Sequence, residues 1–311
     1  MKFWVGVTDN SWFHFLKRQL PDEVNFWQPN ASTAFRAIEV GAPFLFKLHS
    51  PYDYIAGGGF FLSHSVLPIS IAWEAFGQKN GTEHYDGFRS AIGRFRRGDD
   101  RLNPDPMIGC IILANPFFFE QSDWIKIPTD WARNIVRGKT YDTGHDVGRR
   151  LWDEVQERMQ AQAINRRPPI GQEMVGEAQY GAEYLAKSRL GQGAFRVLVT
   201  DAYQRRCAFT GERTLPVLEA AHIKPFSRSG PNSINNGLLL RSDLHKLFDL
   251  GYVTVTDELK IEVSKKNKEE FENGRDYYAL HGNPLKVLPG QNDYQPSKDF
   301  IQWHNSHVYV P

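Results

Sequence analysis

The sequence predicts an α+β protein of two domains, and three features of the chain support this fold class. Residues 1–141 contain short β-rich runs separated by turns, with few helical patterns between them. The stretch 165–176 has two prolines, two glycines and little apolar content, as expected of a linker. Beyond it, the chain has a strand, loop, strand and helix pattern. We therefore predict domains at 1–143 and 177–311, joined by a helix and linker at 144–176.

The first domain is predicted to be a small, strongly bent sheet with a few short helices. Its strands are expected at residues 2–8, 42–49, 54–66 and 108–119. Short helices are expected at 32–38, with Ser32 as the N-cap, and at 71–77. Three consecutive glycines, Gly57 to Gly59, lie between apolar runs and predict a bulge or tight bend. These features are typical of a β-barrel-like domain.

The connecting segment and the second domain have clearer periodicities. Apolar residues recur at helical spacing along 144–162 and predict an amphipathic helix. The second domain is expected to contain a helix at 193–207, strands at 215–223 and 237–240, a helix at 241–251 and a hairpin at 252–264. Gly251 is the expected stop of the second of these helices.

Composition excludes several classes of protein. The chain has 311 residues, of which 41% are hydrophobic, as in globular proteins with a core. Its longest apolar run, 107–119, is too short for a membrane span of about 20 residues, and the N-terminus resembles no signal peptide, so we expect a cytoplasmic protein. Cys110 and Cys207 are the only cysteines, so we expect two buried thiols, no disulfide framework and no structural zinc.

Basic residues are concentrated locally although the net charge is only +1. Between Lys187 and Lys246 there are ten Lys or Arg residues and four Asp or Glu residues, and 88–98 places four arginines among phenylalanines. A local excess of positive charge favours phosphate binding, and solvated helix faces are the alternative interpretation.

Three residues of the second domain predict hydrolytic chemistry. His222 ends the first strand, Asn236 precedes the second strand, and His245 lies on the following helix. Such a unit can hold a divalent ion between strand and helix and leave one imidazole as a base with a pKa near neutrality. A phosphodiester is anionic, so its hydrolysis benefits from a metal that neutralises charge. The alternative is that these are ordinary polar residues of an α/β domain.

The segments "CAFTGERTLPVLEAAHIKPF" and "NNGLLLRSDLHKLFDLGYVTV", within 207–255, resemble the HNH endonucleases of the ββα-metal fold. Flanking segments extend this resemblance to about 185–311. The resemblance implies that His222 is the general base, that Asn236 braces the loop beside it, and that His245 binds Mg²⁺ or Mn²⁺. Asp249, one helical turn after His245, would reach the same imidazole or the metal shell. The resemblance also implies contacts with DNA phosphates from Lys224, Arg228, Arg241 and Lys246.

One position departs from the HNH pattern. Many HNH enzymes have a metal-binding Asp directly before the catalytic His, where this chain has Ala221. Glu219 is the nearest upstream acid and the candidate carboxylate ligand, yet strict strand alternation would point it away from His222. It would reach the site only if the strand twists or bulges. We expect His304 and His307 to be packing or surface residues.

Residues 34–81 of the first domain resemble the PUA superfamily, most closely its EVE and ASCH branches. Some members of that superfamily bind a flipped, modified base in a pocket lined by aromatic side chains, since stacking offsets the cost of extrusion. The candidate pocket residues are Trp27, Asn30, Tyr52, Asp53, Tyr54 and Trp73. Asp53 would accept a hydrogen bond from the exocyclic amine of cytosine, and the arginines of 94–98 would follow the DNA backbone.

Together the two domains resemble the modification-dependent restriction endonucleases. The resemblance implies cleavage of double-stranded DNA that contains 5-methylcytosine or 5-hydroxymethylcytosine, by base flipping and metal-assisted hydrolysis, as in phage defence. Products would have 5′-phosphate ends, and a homodimer would cut both strands. Two alternatives stay open: the first domain recognises RNA or unmodified DNA, or Ala221 marks an inactive protein that only binds nucleic acid.

Overall fold

The computed structural model describes residues 1–30, 34–96, 103–165, 190–272 and 274–311, with side chains described to residue 162 in the third range. The chain divides into two compact units, Met1–Arg189 and Leu190–Pro311. Within the described ranges, no helix is long and apolar enough to span a membrane. The predicted linker at 165–176 lies outside these ranges except for its first residue.

The first unit is built on one mixed seven-stranded sheet. The strands are β1 (Lys2–Thr8), β2 (Glu23–Gln28), β3 (Pro43–Leu48), β4 (Tyr54–Pro68), β5 (Met107–Phe118), β6 (Ile125–Lys126) and β7 (Gly138–Asp142). They follow the order β2–β5–β4–β3–β1–β7, and β6 pairs with β4. Among the described residues, only the pairing of β1 with β3 is parallel. All four strands predicted for this domain are therefore confirmed.

The glycine run in β4 coincides with the irregular part of the sheet. The register between β4 and β5 shifts between Gly58 and Phe60 and again beyond Phe61, which confirms the predicted bulge. A Cβ atom on Gly57 would lie 2.3 Å from the carbonyl oxygen of Phe117, so only glycine allows this approach of the two backbones. Among the described residues the edge strands β2 and β7 do not pair, so the α+β class is confirmed without closure into a barrel.

Helices cover both faces of this sheet. Successive residues of β3 face opposite sides: Phe44 and Phe46 pack with α1, and Leu45 packs with α4. The helices of the first unit are α1 (Asn10–Gln19), α2 (Ile69–Phe76), α3 (Tyr85–Gly93) and α4 (Asp146–Asn165). The predicted helices at 71–77 and 144–162 are thus confirmed. Asp9 caps α1 by accepting a hydrogen bond from the backbone N–H of Trp12 at 2.9 Å.

The helix predicted at 32–38 is wrong in its described part. Residues 34–38 are irregular, and Ser32 lies outside the described residues. Phe35 packs edge-on against Trp4 and Phe61, with ring centroids 5.3 Å apart in both pairs. Packing against the sheet overrides a weak local helical pattern here, because helix propensity amounts to only a few tenths of a kcal/mol per residue.

The second unit has the predicted order of elements. They are α5 (Gln192–Ala202), β8 (Leu218–His222), β9 (Gly237–Arg241), α6 (Ser242–Asp249), β10 (Val253–Val255), β11 (Ile261–Val263), α7 (Lys266–Phe271), α8 (Arg275–Tyr278) and α9 (Lys298–His307). Gly251 ends α6 with a φ of +79°, and a Cβ atom there would lie 2.0 Å from the carbonyl oxygen of Val308. One hydrophobic core joins α5, β8, β9 and α6.

Candidate functional site

The candidate hydrolytic site is built by β8, β9 and α6. The two strands are antiparallel, with His222 opposite Gly237, and Arg241 at the end of β9 leads directly into α6. A Cβ atom on Gly237 would lie 2.5 Å from Cγ2 of Val199, so glycine lets β9 approach α5 closely. The end of β8 and the start of α6 are consequently held over the same packed core.

Asn236 connects the two ends of the loop between the strands. Its side chain is fully buried. Its Oδ1 accepts a hydrogen bond from the backbone N–H of Lys224 at 2.9 Å. Its Nδ2 donates to the carbonyl oxygens of Lys224 at 3.0 Å and Pro231 at 2.8 Å. These three bonds are the geometry that the expected bracing role requires, because they fix the backbone immediately after His222.

His222 is held on its ring face and on one ring nitrogen. Its imidazole stacks on Phe195 of α5, with centroids 3.9 Å apart and an interplanar angle of 12°. Nε2 lies 2.8 Å from Oδ1 of Asn232. Burial lowers the pKa of His222, and the hydrogen bond to Asn232 opposes this effect. The lowered pKa of His222 favours the neutral imidazole.

His245 lies between two carboxylates. Its Nδ1 is 2.6 Å from Oε2 of Glu219, and its Nε2 is 3.3 Å from Oδ2 of Asp249. Burial raises the pKa of Asp249. The charges of His245 and Asp249 also affect the pKa of His222, so these groups share one electrostatic environment. The structure thus brings together the two histidines and both acids that were expected from the sequence.

Glu219 is the acid nearest to the position that Ala221 occupies. The register of β8 with β9 is continuous, so no bulge is present. Leu218 and Ala221 are buried, while Glu219, Ala220 and His222 are half-buried. Glu219 contacts His245 of α6, so its carboxylate lies at the candidate site.

The side chains around His245 offer one imidazole nitrogen and two carboxylates, and carboxylates are the ligand type that suits Mg²⁺ or Mn²⁺. If Nδ1–H donates to Glu219, the lone pair of Nε2 faces a carboxylate oxygen of Asp249, an arrangement that a proton or a cation would satisfy. Within the described ranges, no group of three or more His, Cys, Asp or Glu side chains is placed so that it could hold a metal ion. Water and phosphate oxygens would therefore have to complete the coordination.

The four cations expected at DNA phosphates have different surroundings. Arg228 and Lys246 are exposed. Lys224 is half-buried, and its Nζ lies 5.5 Å from the ring centroid of Trp303. Arg241 donates two hydrogen bonds to Asp243, at 2.9 and 2.5 Å, so its charge is compensated within the protein. Three of the four side chains therefore remain suited to phosphate contacts.

The first unit contains an aromatic cavity of about 380 Å³. Its lining residues are Val7, Asp9, Trp12, Phe26, Trp27, Gln28, Pro29, Asn30, His49, Phe95, Val136 and Arg137. The volume is within the range of small-molecule sites, about 300–1,000 Å³. Trp12 is 5% exposed, and its indole N–H has no hydrogen-bond partner among the described residues. The N–H of Trp27 donates to the carbonyl oxygen of Asn80 at 3.0 Å.

Two of the six predicted pocket residues, Trp27 and Asn30, line this cavity. The other four lie outside its lining. Tyr52 and Tyr54 pack against Trp124, with centroids 5.3 and 6.2 Å apart. Asp53 is ion-paired with Lys47, and Trp73 packs against Tyr85 and Phe88.

The described arginines of the cluster at 94–98 have different surroundings. Arg96 is buried, and its guanidinium donates to the backbone carbonyls of Pro29 and Met107. It thereby holds the chain next to the cavity, whereas Arg94 is exposed. Arg97 lies outside the described residues.

Sequence reasoning missed several residues at both sites. In the second unit, Asn232 and Phe195 contact the imidazole of His222 directly. In the cavity, Trp12, Phe26 and His49 come from separate elements, and no motif joins them. Asn232 lies in a polar loop near a predicted catalytic strand, a signal that would have justified including it. His304 is buried and Cys110 and Cys207 are buried free thiols, in agreement with the sequence.

One family model and two solved structures are similar to parts of this chain. Residues 207–256 match the model of the HNH endonuclease family described as HNH_2. A mutant ASCH protein of Zymomonas mobilis aligns with 50% of this chain and 99% of its own, at 7% identity and a TM-score of 0.33. The modification-dependent restriction endonuclease TagI aligns with 92% of this chain and 75% of its own, at 16% identity and a TM-score of 0.29. No curated protein matches the chain. The second unit therefore contains an HNH endonuclease region.

Proposed function

We propose that this protein is a modification-dependent DNA endonuclease. The observation that carries the nuclease function is the convergence of His222, His245, Glu219 and Asp249 on one strand–helix unit within the HNH match. In this proposal the second unit hydrolyses a phosphodiester bond of DNA. The first unit recognises a modified cytosine.

The second unit supplies a base and a site for an ion. His222 takes a proton from the attacking water, and burial keeps it neutral and able to accept that proton. His245 and Asp249 would hold Mg²⁺ or Mn²⁺, and Glu219, on the other ring nitrogen, would orient the imidazole. The ion would supply neutralisation of charge on the phosphate and the leaving 3′ oxygen. Asn236 fixes the backbone beside the base. Attack by water with a 3′-oxygen leaving group gives 5′-phosphate ends.

Three cations of the second unit would bind the DNA backbone. Lys224, Arg228 and Lys246 follow His222 or flank His245 in sequence, and none of them has an ion-pair partner among the described residues. Their contacts would position the scissile phosphate without reading sequence. Because one such site cuts one strand, we propose that two copies of the chain act together on duplex DNA.

In the first unit, the aromatic cavity would bind the flipped base. Trp27 and Phe26 present ring surfaces to the cavity, and stacking a base on aromatic rings contributes about 1–3 kcal/mol. Asp9 and Asn30 add polar atoms to the wall for the edge of the base. A cavity of about 380 Å³ lined by aromatic and polar side chains is the kind of site that takes a planar heterocycle.

The decisive experiment is a digestion panel. Matched plasmids that contain cytosine, 5-methylcytosine or 5-hydroxymethylcytosine are incubated with the full chain in Mg²⁺, Mn²⁺ or EDTA. We expect metal-dependent cleavage of at least one modified plasmid and little cleavage of the unmodified one. Equal cleavage of all three plasmids would support DNA hydrolysis by the second unit and contradict recognition of modified cytosine by the first unit. Binding without cleavage in every metal would indicate an inactive site.

A further inference from the structure

The side chain of Asn232 is fixed in one orientation by its two contacts. Its Nδ2 donates to the backbone carbonyl of Leu190 at 2.6 Å. Since a carbonyl only accepts hydrogen bonds, the amide oxygen must point the other way, towards His222. A flipped amide would place two acceptor oxygens against each other. The contact of Nδ2 with Leu190 therefore identifies the atom that faces the imidazole as Oδ1.

This orientation determines the tautomer of His222. Nε2 lies 2.8 Å from Oδ1 of Asn232, and an amide oxygen accepts only, so Nε2 carries the hydrogen. In the neutral ring, the lone pair must then be on Nδ1. No other hydrogen bond to the side chain of His222 is present among the described residues, so Nδ1 has no protein partner there. Stacking on Phe195 keeps the ring plane, and Asn232 fixes rotation within that plane.

We propose that Asn232 is a positioning residue that selects the Nε2–H tautomer of His222 and leaves Nδ1 to receive the proton of the attacking water. This proposal rests on the proposed function of His222 as the general base. Asn236 has a separate task, because its hydrogen bonds all go to the backbone of the loop. Asn232 contacts the imidazole itself.

The first test is the tautomeric state of His222 in the full chain. Nitrogen-15 spectra of histidine-labelled protein distinguish Nε2–H from Nδ1–H, and the His222→Gln variant identifies the signal. We expect the Nε2–H form in the wild type and a mixture of tautomers in Asn232→Ala. Nδ1–H in the wild type, or an unchanged single tautomer in Asn232→Ala, would overturn the proposal.

The second test is single-turnover cleavage of modified DNA by variants at this position. Asn232→Ala should lower the cleavage rate constant about 10- to 100-fold, as expected for a misplaced catalytic group, with unchanged DNA affinity. Asn235→Ala is the matched control, because Asn235 lies in the same loop and its side chain bonds Ser233. It should cleave at the wild-type rate. Equal rates for all three proteins would contradict the positioning role.

Asn232→Asp separates positioning from a merely structural role. A carboxylate beside Nε2 stabilises the imidazolium, so the acidic limb of the pH–rate profile should move to higher pH, and activity should recover as pH rises. Asn232→Ala should not recover. His245 and Asp249, the charged groups that act on His222 from α6, are unchanged in both variants. Identical pH–rate profiles for the wild type and Asn232→Asp would contradict a contact between residue 232 and Nε2 of His222.

The two proposals fail in different ways. A full chain that cleaves no DNA under any condition would overturn the proposed nuclease, and the nitrogen spectra would still decide whether Asn232 selects the tautomer. Cleavage that is lost in His222→Ala but kept in Asn232→Ala would leave the nuclease intact and remove the role of Asn232.

Discussion

The two candidate sites differ in how much of the chain is needed to build them. The two acids and two histidines of the candidate hydrolytic site lie between Glu219 and Asp249, on β8 and α6. The cavity of the first unit is lined by residues from Val7 to Arg137, on several elements of a seven-stranded sheet. A site formed within one short supersecondary unit has a readable sequence pattern. A site assembled from distant elements has none.

The largest expected loss of cleavage rate comes from a substitution in the hydrolytic site of the second unit. His222→Ala removes the general base, and such groups contribute about 10²- to 10⁴-fold in rate. We expect a loss of that size in the single-turnover cleavage of modified DNA. Binding in a gel-shift assay should be retained, because the phosphate contacts and the cavity are untouched. Cleavage by His222→Ala at the wild-type rate would refute the assignment of the base.

The next largest effect is a loss of DNA affinity, and it tests the cavity of the first unit. Trp27→Ala removes a stacking surface from the cavity, which at about 1–3 kcal/mol per base should weaken binding of modified DNA roughly 5- to 150-fold. Trp73→Ala is the control, since it deletes the same kind of ring outside the cavity lining. Competition binding with modified and unmodified oligonucleotides measures both. A larger loss in the Trp73 variant would mean that the reader site lies elsewhere.

Residue spacing explains which parts of the site were predictable. The order of strand, strand and helix from 215 to 251 follows from hydrophobic patterns and Gly251, and this order brings His222 and His245 together. The contact of Glu219 with His245 was not predictable, because it depends on how α6 packs against β8 in the folded unit. Asn232 was missed because loop conformation decides its contacts, and the loop is shaped by buried bonds of Asn236.

In the first unit, the strands were predictable and the cavity was not. Alternating and continuous apolar runs specify β1, β3, β4 and β5 without reference to one another. The cavity depends on which strands become neighbours and on how β4 bends at its glycines. Aromatic residues in polar turns, such as Tyr52, looked like pocket residues but pack on Trp124. Tertiary packing decides whether such a side chain lines a cavity or joins the core, and the pattern of a single sequence does not contain that information.

A smaller effect concerns the stability of the local unit. Asn236→Ala would leave a buried backbone N–H and two carbonyls without their partner, a loss of about 1–3 kcal/mol in the free energy of unfolding. Urea denaturation measures the change. Asn283→Ala is the control, since its exposed amide bonds only the carbonyl of Ala279, and it should change stability by less than about 0.5 kcal/mol. Equal stability of the two variants would show that the brace is dispensable.

The smallest expected effect is on the pH dependence of stability, and it tests whether the hydrolytic site depends on α9, which lies far from it in sequence. His304 on α9 is 2% exposed, stacks on Phe248 of α6 and bonds its carbonyl oxygen at 3.1 Å. Burial lowers the pKa of His304 from 6.5 to about 4. Since the unfolded chain binds this proton more readily, the stability gained from neutral His304 is complete above pH 6.5 and declines as pH falls towards 4. Between pH 7.5 and 5.5 the loss should be about 1 kcal/mol, at 1.36 kcal/mol per pKa unit.

His304→Gln cannot be protonated, so its stability should change less over the same pH interval when both proteins are unfolded in urea. Exposed His84 provides the control, because His84→Gln should keep the wild-type pH dependence. If the His304 variant also shows slower cleavage near pH 7, the contact from α9 to the carbonyl of Phe248 positions the helix that carries His245 and Asp249. An unchanged pH dependence and cleavage rate would mean that the strand–strand–helix unit holds its geometry without α9, which would strengthen the contrast with the cavity of the first unit.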